Sequence, residues 1–133
     1  MTECPYCARI KTGDGVVESN ELAVALMDQY PVSPGHTLVV PRRHESDYFG
    51  LTEEEQTAML RLLRSVEERL HTELNPAAFN IGVNTGPAAG QTIPHTHMHL
   101  IPRFTGDVPD PRGGVRWVIP AKANYWDTPI TGD

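Results

Sequence analysis

Three histidines at alternate positions, His95, His97 and His99, stand within five residues of a chain that holds six in all. Imidazole is neutral and nucleophilic near neutral pH, and either ring nitrogen can carry its proton. In an extended strand successive side chains point to opposite faces, so this spacing sets the three rings on one face and Thr96, Met98 and Leu100 on the other. Three arrangements follow from the residues alone. The rings are solvent-facing decoration, or three ligands of a catalytic zinc whose fourth position holds water, or groups converging on one substrate, with one of them attacking it. The run Gly86-Pro87-Ala88-Ala89-Gly90-Gln91 just upstream favours the last. Small residues let main-chain N–H groups approach an anion, and Gln91 adds a neutral amide donor, so the loop reads as a phosphate cradle.

The second chemical signal is Cys4-Pro5-Tyr6-Cys7. A two-residue gap between cysteines in a reducing compartment suggests a metal-ligand pair or a redox pair before a structural disulfide. A glutaredoxin-type redox pair follows a strand and opens a helix. With three residues ahead of Cys4, no such strand is expected here.

These groups need a scaffold. Val16-Val17-Glu18 and Leu22–Met27 read as two strands joined at Ser19-Asn20, and Thr37-Leu38-Val39-Val40 as a buried strand closed by Pro41. Thr52-Glu53-Glu54-Glu55 is a capping box, and Met59, Leu62, Leu63, Val66 and Leu70 follow at helical spacing until Asn75-Pro76. Phe79–Asn84 alternates as a half-buried strand, and His95–Arg103 is read as another. Thr105 to Gly114 is expected to be irregular, with Val115–Ile119 as a further strand. One long helix among strands joined by short turns predicts an α+β layout with an antiparallel sheet.

The 133 residues suit a single domain, with residues 1–104 as its core and 105–133 as a C-terminal extension. Seventeen acidic against eleven basic residues give a net charge of −6, which argues against nucleic-acid coating or membrane-surface binding. No apolar run approaches a membrane span, and the first residues lack a basic n-region and an apolar h-region, so a cytoplasmic protein is expected.

The run from Asn84 to Arg103, with Gln91 and the His95-Thr96-His97-Met98-His99 core, resembles the signature of the histidine triad (HIT) family of nucleotide hydrolases and transferases. Pro34-Gly35-His36-Thr37-Leu38-Val39-Val40-Pro41 is similar to another segment of that family, and the match in order runs from about Cys4 to Arg103. The resemblance implies a HIT-like fold, an antiparallel sheet of about five strands packed against one long helix plus a short one. It implies attack on an α-phosphorus by His97, with His99 and His36 on phosphate oxygens. It further places Gln91 at the scissile group, Asn84 and Gly90 at phosphate, Asp28 at the ribose hydroxyls, and Ile10 and Leu26 in the base pocket. His71 has no matching role.

Some members of the family carry structural zinc on a Cys-x-x-Cys pair and two histidines, and the matching residues here are Cys4, Cys7, His44 and His95. Separation of Cys4 from the chemistry is then expected, a Cys4 substitution lowering stability and a His97 substitution lowering activity. The tail from Gly106 to Pro120 is similar to that of bacterial dinucleoside-polyphosphate-type members. Arg112 and Arg116 either reach distal phosphates or pin the tail. The resemblance thus implies a homodimeric hydrolase of an adenosine 5′-polyphosphate such as a diadenosine polyphosphate, with an AMP or ADP product and no organic cofactor. A phosphoramidase, a phosphorylase and a non-catalytic nucleotide-binding protein are the alternatives.

Overall fold

A computed structural model describes residues 3–126. Its centre is one antiparallel sheet in the order β1-β2-β3-β5-β4, built from β1 (Val16–Ser19), β2 (Ala23–Met27), β3 (Thr37–Pro41), β4 (Ala78–Val83) and β5 (Met98–Arg103). Between β3 and β4 runs α2 (Glu53–Leu74), and α1 (Pro5–Thr12) precedes β1.

The capping box forms as the residues dictate. Thr52 Oγ1 accepts the Glu55 N–H at 3.1 Å, and Glu55 Oε1 accepts the Thr52 N–H at 2.8 Å. Met59, Leu62, Val66 and Leu70 are buried along one stripe, which lies on Ala23, Ala25, Val39, Met98 and Leu100 of the sheet. Asn75 ends the helix in the left-handed conformation, with φ 47°. Asn20 Oδ1 accepts the N–H groups of Leu22 and Ala23 to close the β1–β2 turn, while its amide donates to Ala58 of α2.

On the opposite sheet face α1 packs over β2 and β3. Tyr6 is buried against Val24, Leu26, Leu38 and Val40, with Ile10 packed beside it. Cys4 is the N-cap of α1, its sulfur accepting the Cys7 N–H, and Gly13 ends the helix at φ 82°. Arg9 donates to the carbonyls of Asp14 and Met27, which fastens α1 to the end of β2. The sheet thus has α2 on one side, and α1 lies over the β2–β3 part of the other.

Two expected elements differ. β5 begins at Met98, not His95. β3 ends at Pro41, and Thr96 bonds through both its N–H and its hydroxyl to the Glu45 carbonyl, so His95 and Thr96 are drawn toward the segment after β3 and off the ladder. The expected strand Val115–Ile119 is a 3-10 turn, Gly114–Val118, followed by the one-turn helix α3 (Pro120–Ala123). Val115, Trp117, Val118 and Ile119 are all exposed, so no alternating buried face exists to hold a strand, and Gly113 and Gly114 turn the chain with positive φ.

Candidate functional site

On the α1 face a row of cross-strand partners runs Leu26, Leu38, His99, Gly82. Directly opposed residues share a face, so His99 stands at the end of an apolar row beside a position with no side chain. A Cβ on Gly82 would meet nothing within 4 Å, and the surface next to His99 is open.

His36 enters from the start of β3. Gly35, at φ 85°, makes the preceding turn, and a Cβ there would run into Leu74 and Leu70 of α2. The Val32 N–H donates to His36 Nδ1 at 3.1 Å, so the neutral ring carries its proton on Nε2. That Nε2–H faces His99 Nδ1 at 2.9 Å and Asp28 Oδ2 at 3.3 Å. With Nδ1 accepting, neutral His99 carries its own proton on Nε2. One main-chain N–H thus sets the tautomer of two imidazoles. Burial lowers the pKa of both. His99 falls to about 4, through burial first and then the neighbouring His97 and His36 charges. Asp28, His36 and His99 also bring three donor atoms together, but the nitrogen that His36 offers bears a proton and cannot ligate a cation.

His97 is tied differently. Its Nδ1 lies 2.9 Å from the His95 carbonyl, so Nδ1–H donates there and the lone pair is on Nε2. The ring is 6% exposed, with Tyr6 at 5.1 Å and His99 at 5.2 Å between ring centroids. Burial pushes the Tyr6 hydroxyl up to about 12, and it stays protonated.

His95 is fully buried and points away from this group. Its Nε2–H donates to the Pro41 carbonyl at 2.8 Å, which leaves Nδ1 unprotonated. That lone pair faces Cys4 Sγ at 3.4 Å, Cys7 Sγ at 3.5 Å and His44 Nδ1 at 3.3 Å, with Cys7 Sγ 3.4 Å from His44 Nδ1. A tetrahedral zinc with Zn–S of about 2.3 Å and Zn–N of about 2.0–2.1 Å has ligand–ligand edges of about 3.3–3.8 Å. These four separations lie within that range, and the Pro41 carbonyl supplies the partner that fixes a ligating imidazole. His95 and His97 thus serve two clusters. The three alternating rings do not converge on one point.

The remaining expected residues are placed unevenly. Asp28 follows β2, its Oδ1 accepting the Tyr30 N–H at 2.7 Å. Asn84 follows β4 and is half-buried. Ile10 is half-buried over the apolar row, but Leu26 has no exposed surface, so it underlies a pocket and does not line one. The loop before His95 closes on itself and is not an open cradle. The N–H groups of Ala89 and Gln91 donate to the Gly86 carbonyl, that of Gly90 to Pro87, and that of Gly86 to Gln91 Oε1. Gln91 Nε2 donates to Ser46 at 2.8 Å and Ile93 at 3.1 Å, latching the loop to the segment after His44.

In the tail, Arg116 donates to Ala123 and Lys122 and lies over the Tyr125 ring, while Arg112 pairs with Asp110 and lies over Trp126. Both side chains are engaged within the extension itself. A hollow of about 830 Å³ near the start of α2 holds no histidine and is lined by Glu18, Glu21, Glu53 and Glu54 against Arg61, an acidic excess that disfavours polyanions.

Tyr6 and Pro41 escaped the sequence reading. Proline after a potential N-cap and Gly13 eight residues on mark a helix over 5–12, which sets Tyr6 and Ile10 on one face.

A sheet-borne imidazole cluster backed by a Cys2His2 donor set defines a particular class of small α+β protein. Residues 11–106 match the HIT domain, and the chain belongs to that family. It is 35% identical over 102 residues to a bis(5′-nucleosyl)-tetraphosphatase (asymmetrical) of Schizosaccharomyces pombe, covering 77% of this chain and 56% of that one. The solved structure of a HIT family protein from Bacillus anthracis superposes with a TM-score of 0.74 at 36% identity, covering 79% of this chain and 76% of that one. A Zn-bound histidine triad family protein from Mycobacterium smegmatis superposes with a TM-score of 0.72 at 29% identity, covering 81% and 84%. Among the described residues no helix is long and apolar enough to cross a membrane.

Proposed function

We propose that this protein hydrolyses an adenosine 5′-polyphosphate of the diadenosine polyphosphate kind at its α-phosphorus, through a nucleotidyl intermediate on His97. The observation that carries the reading is the 2.9 Å bond from His97 Nδ1–H to the His95 carbonyl, which leaves a lone pair on Nε2 without an external base. Nε2 forms a bond to the α-phosphorus as the P–O bond to the polyphosphate breaks. The ring becomes cationic, and the His95 carbonyl accepting from Nδ1–H stabilises that charge. Water then attacks phosphorus, the P–N bond breaks, and the electron pair returns to Nε2.

In the same proposal neutral His99 offers Nε2–H to a phosphate oxygen, held in that tautomer by His36. Asp28 takes the ribose hydroxyls, with Asn84, Gly90 and Gln91 on the phosphate side and Ile10 against the base. Gln91 must leave the Ser46 and Ile93 carbonyls to reach the scissile group. Cys4, Cys7, His44 and His95 hold a structural zinc ion, which supplies a cross-link between α1, the segment after β3 and the histidine segment; the Zn-bound relative supports this. The similarity to the Schizosaccharomyces pombe bis(5′-nucleosyl)-tetraphosphatase supports the substrate class. β4 ends the sheet with Ile81 49% exposed, an edge suited to a second copy of the chain, and the free thiols suit a reducing cytoplasm.

The test is an acid quench during turnover of diadenosine tetraphosphate, followed by mass spectrometry of the His97 peptide. An adenylyl group on His97 supports the proposal. Turnover with the group on another residue, or no turnover of any adenosine polyphosphate, overturns it.

A further inference from the structure

We propose that Tyr6 is a positioning residue for His97, its ring edge fixing the plane of the imidazole from which Nε2 attacks. This rests on the reading of His97 as nucleophile. A single hydrogen bond from Nδ1 fixes one atom of the ring, and the terminal torsion of a histidine is otherwise broad. Two further contacts remove that freedom. His99 stands on His97 at 5.2 Å and 65°, and Tyr6 at 5.1 Å and 63°. Tyr6 also meets His95 edge-on at 5.8 Å and 87°, so it braces both the nucleophile and the residue whose carbonyl orients it.

The brace is rigid because Tyr6 has little freedom of its own. It is 7% exposed, packed on Val24, Leu26, Leu38 and Val40, and carried in the first turn of a helix fastened at both ends. The Cys4 sulfur holds the N-terminus, and Arg9 ties the last turn to Met27. Edge-to-face ring contacts have preferred angles that an aliphatic side chain of similar bulk does not supply.

The test compares Tyr6→Phe and Tyr6→Leu in the full chain, with kcat and KM measured separately on diadenosine tetraphosphate and histidine tautomers read by ¹⁵N NMR. Loss of alignment at the attacking atom costs up to about 100-fold in rate, so Tyr6→Leu is expected to lower kcat by about 30- to 100-fold with KM within about threefold. Its His97 signals should move from a single Nδ1–H pattern toward an averaged one. Tyr6→Phe keeps the ring edge and is expected to restore both kcat, within about threefold, and the single-tautomer pattern. Equal losses in Phe and Leu, a Leu effect wholly in KM, or an unchanged His97 pattern in the Leu variant would overturn the proposal. Should the Leu variant not fold, Tyr6→Met takes its place with the same expectations. If the wild type shows no adenylyl-His97, the functional reading falls while the NMR comparison still decides the positioning.

Discussion

His36 Nε2 and His99 Nδ1 face each other at 2.9 Å, and the proton between them belongs to His36 because the Val32 N–H occupies its other nitrogen. Both rings are held neutral by burial. Folded His99 has a pKa of about 4 against an ordinary 6.5, so between those values the unfolded chain binds more protons. Stability from this ring is complete above about pH 6.5 and is lost as pH falls toward about 4. Urea unfolding from pH 7 to 4 should show that decline, and His99→Asn should flatten it. An equally steep decline in the variant would refute this origin.

Substituting His97, the nucleophile of the proposed reaction, separates chemistry from folding. His97→Asn should reduce kcat by at least about 10³-fold, since a covalent step is lost. A kcat within about tenfold of the wild type would contradict the assignment.

The Cys4, Cys7, His44 and His95 set should carry one zinc per folded chain, measured by metal analysis. Removing one thiolate with Cys4→Ser should abolish stoichiometric zinc and lower Tm by about 10 °C or more, because ligand binding to the folded state contributes directly to stability. Retention of full zinc and unchanged Tm would count against the site. The sequence reading treats Cys4 and His97 as separable, but His95 belongs to one cluster by its ring and to the other by its carbonyl. Some loss of kcat in Cys4→Ser is therefore expected as well.

Glu55 joins two devices. It caps α2 and receives two hydrogen bonds from Arg43, at 2.9 and 3.0 Å, beside the ligand candidate His44. Its carboxyl is held down at about 2, by the Arg43 bond first. The stabilisation is thus complete above the ordinary carboxylate range and disappears as pH falls toward about 2. Glu55→Gln should lower stability by about 1–2 kcal/mol at pH 7 and by little near pH 2. A loss independent of pH would indicate packing instead.

Legibility in the sequence followed the locality of the interactions. The capping box, the α2 stripe and β3 rest on neighbours within a few residues or on simple periodicity, and they form where expected. The alternation in the sequence sets His95 and Thr96 on a strand, but their partners in the fold, Pro41 for His95 and Glu45 for Thr96, lie about fifty positions away and give no periodic signal. Gln91 presents itself as an open donor in the sequence, yet three main-chain groups occupy its amide in the fold. The four-donor cluster was reachable only through the family resemblance, since nothing in the spacing joins Cys4 to His95 across 91 positions.

Gly82 carries a separate implication. Its backbone is ordinary strand, and its neighbours leave room for a methyl group. Neither the dihedrals nor the packing of this chain require a glycine there. A small substitution at that spot would therefore be silent in the empty protein and register only when a guest molecule comes to lie against the histidine opposite, which makes it a gauge of occupancy independent of folding.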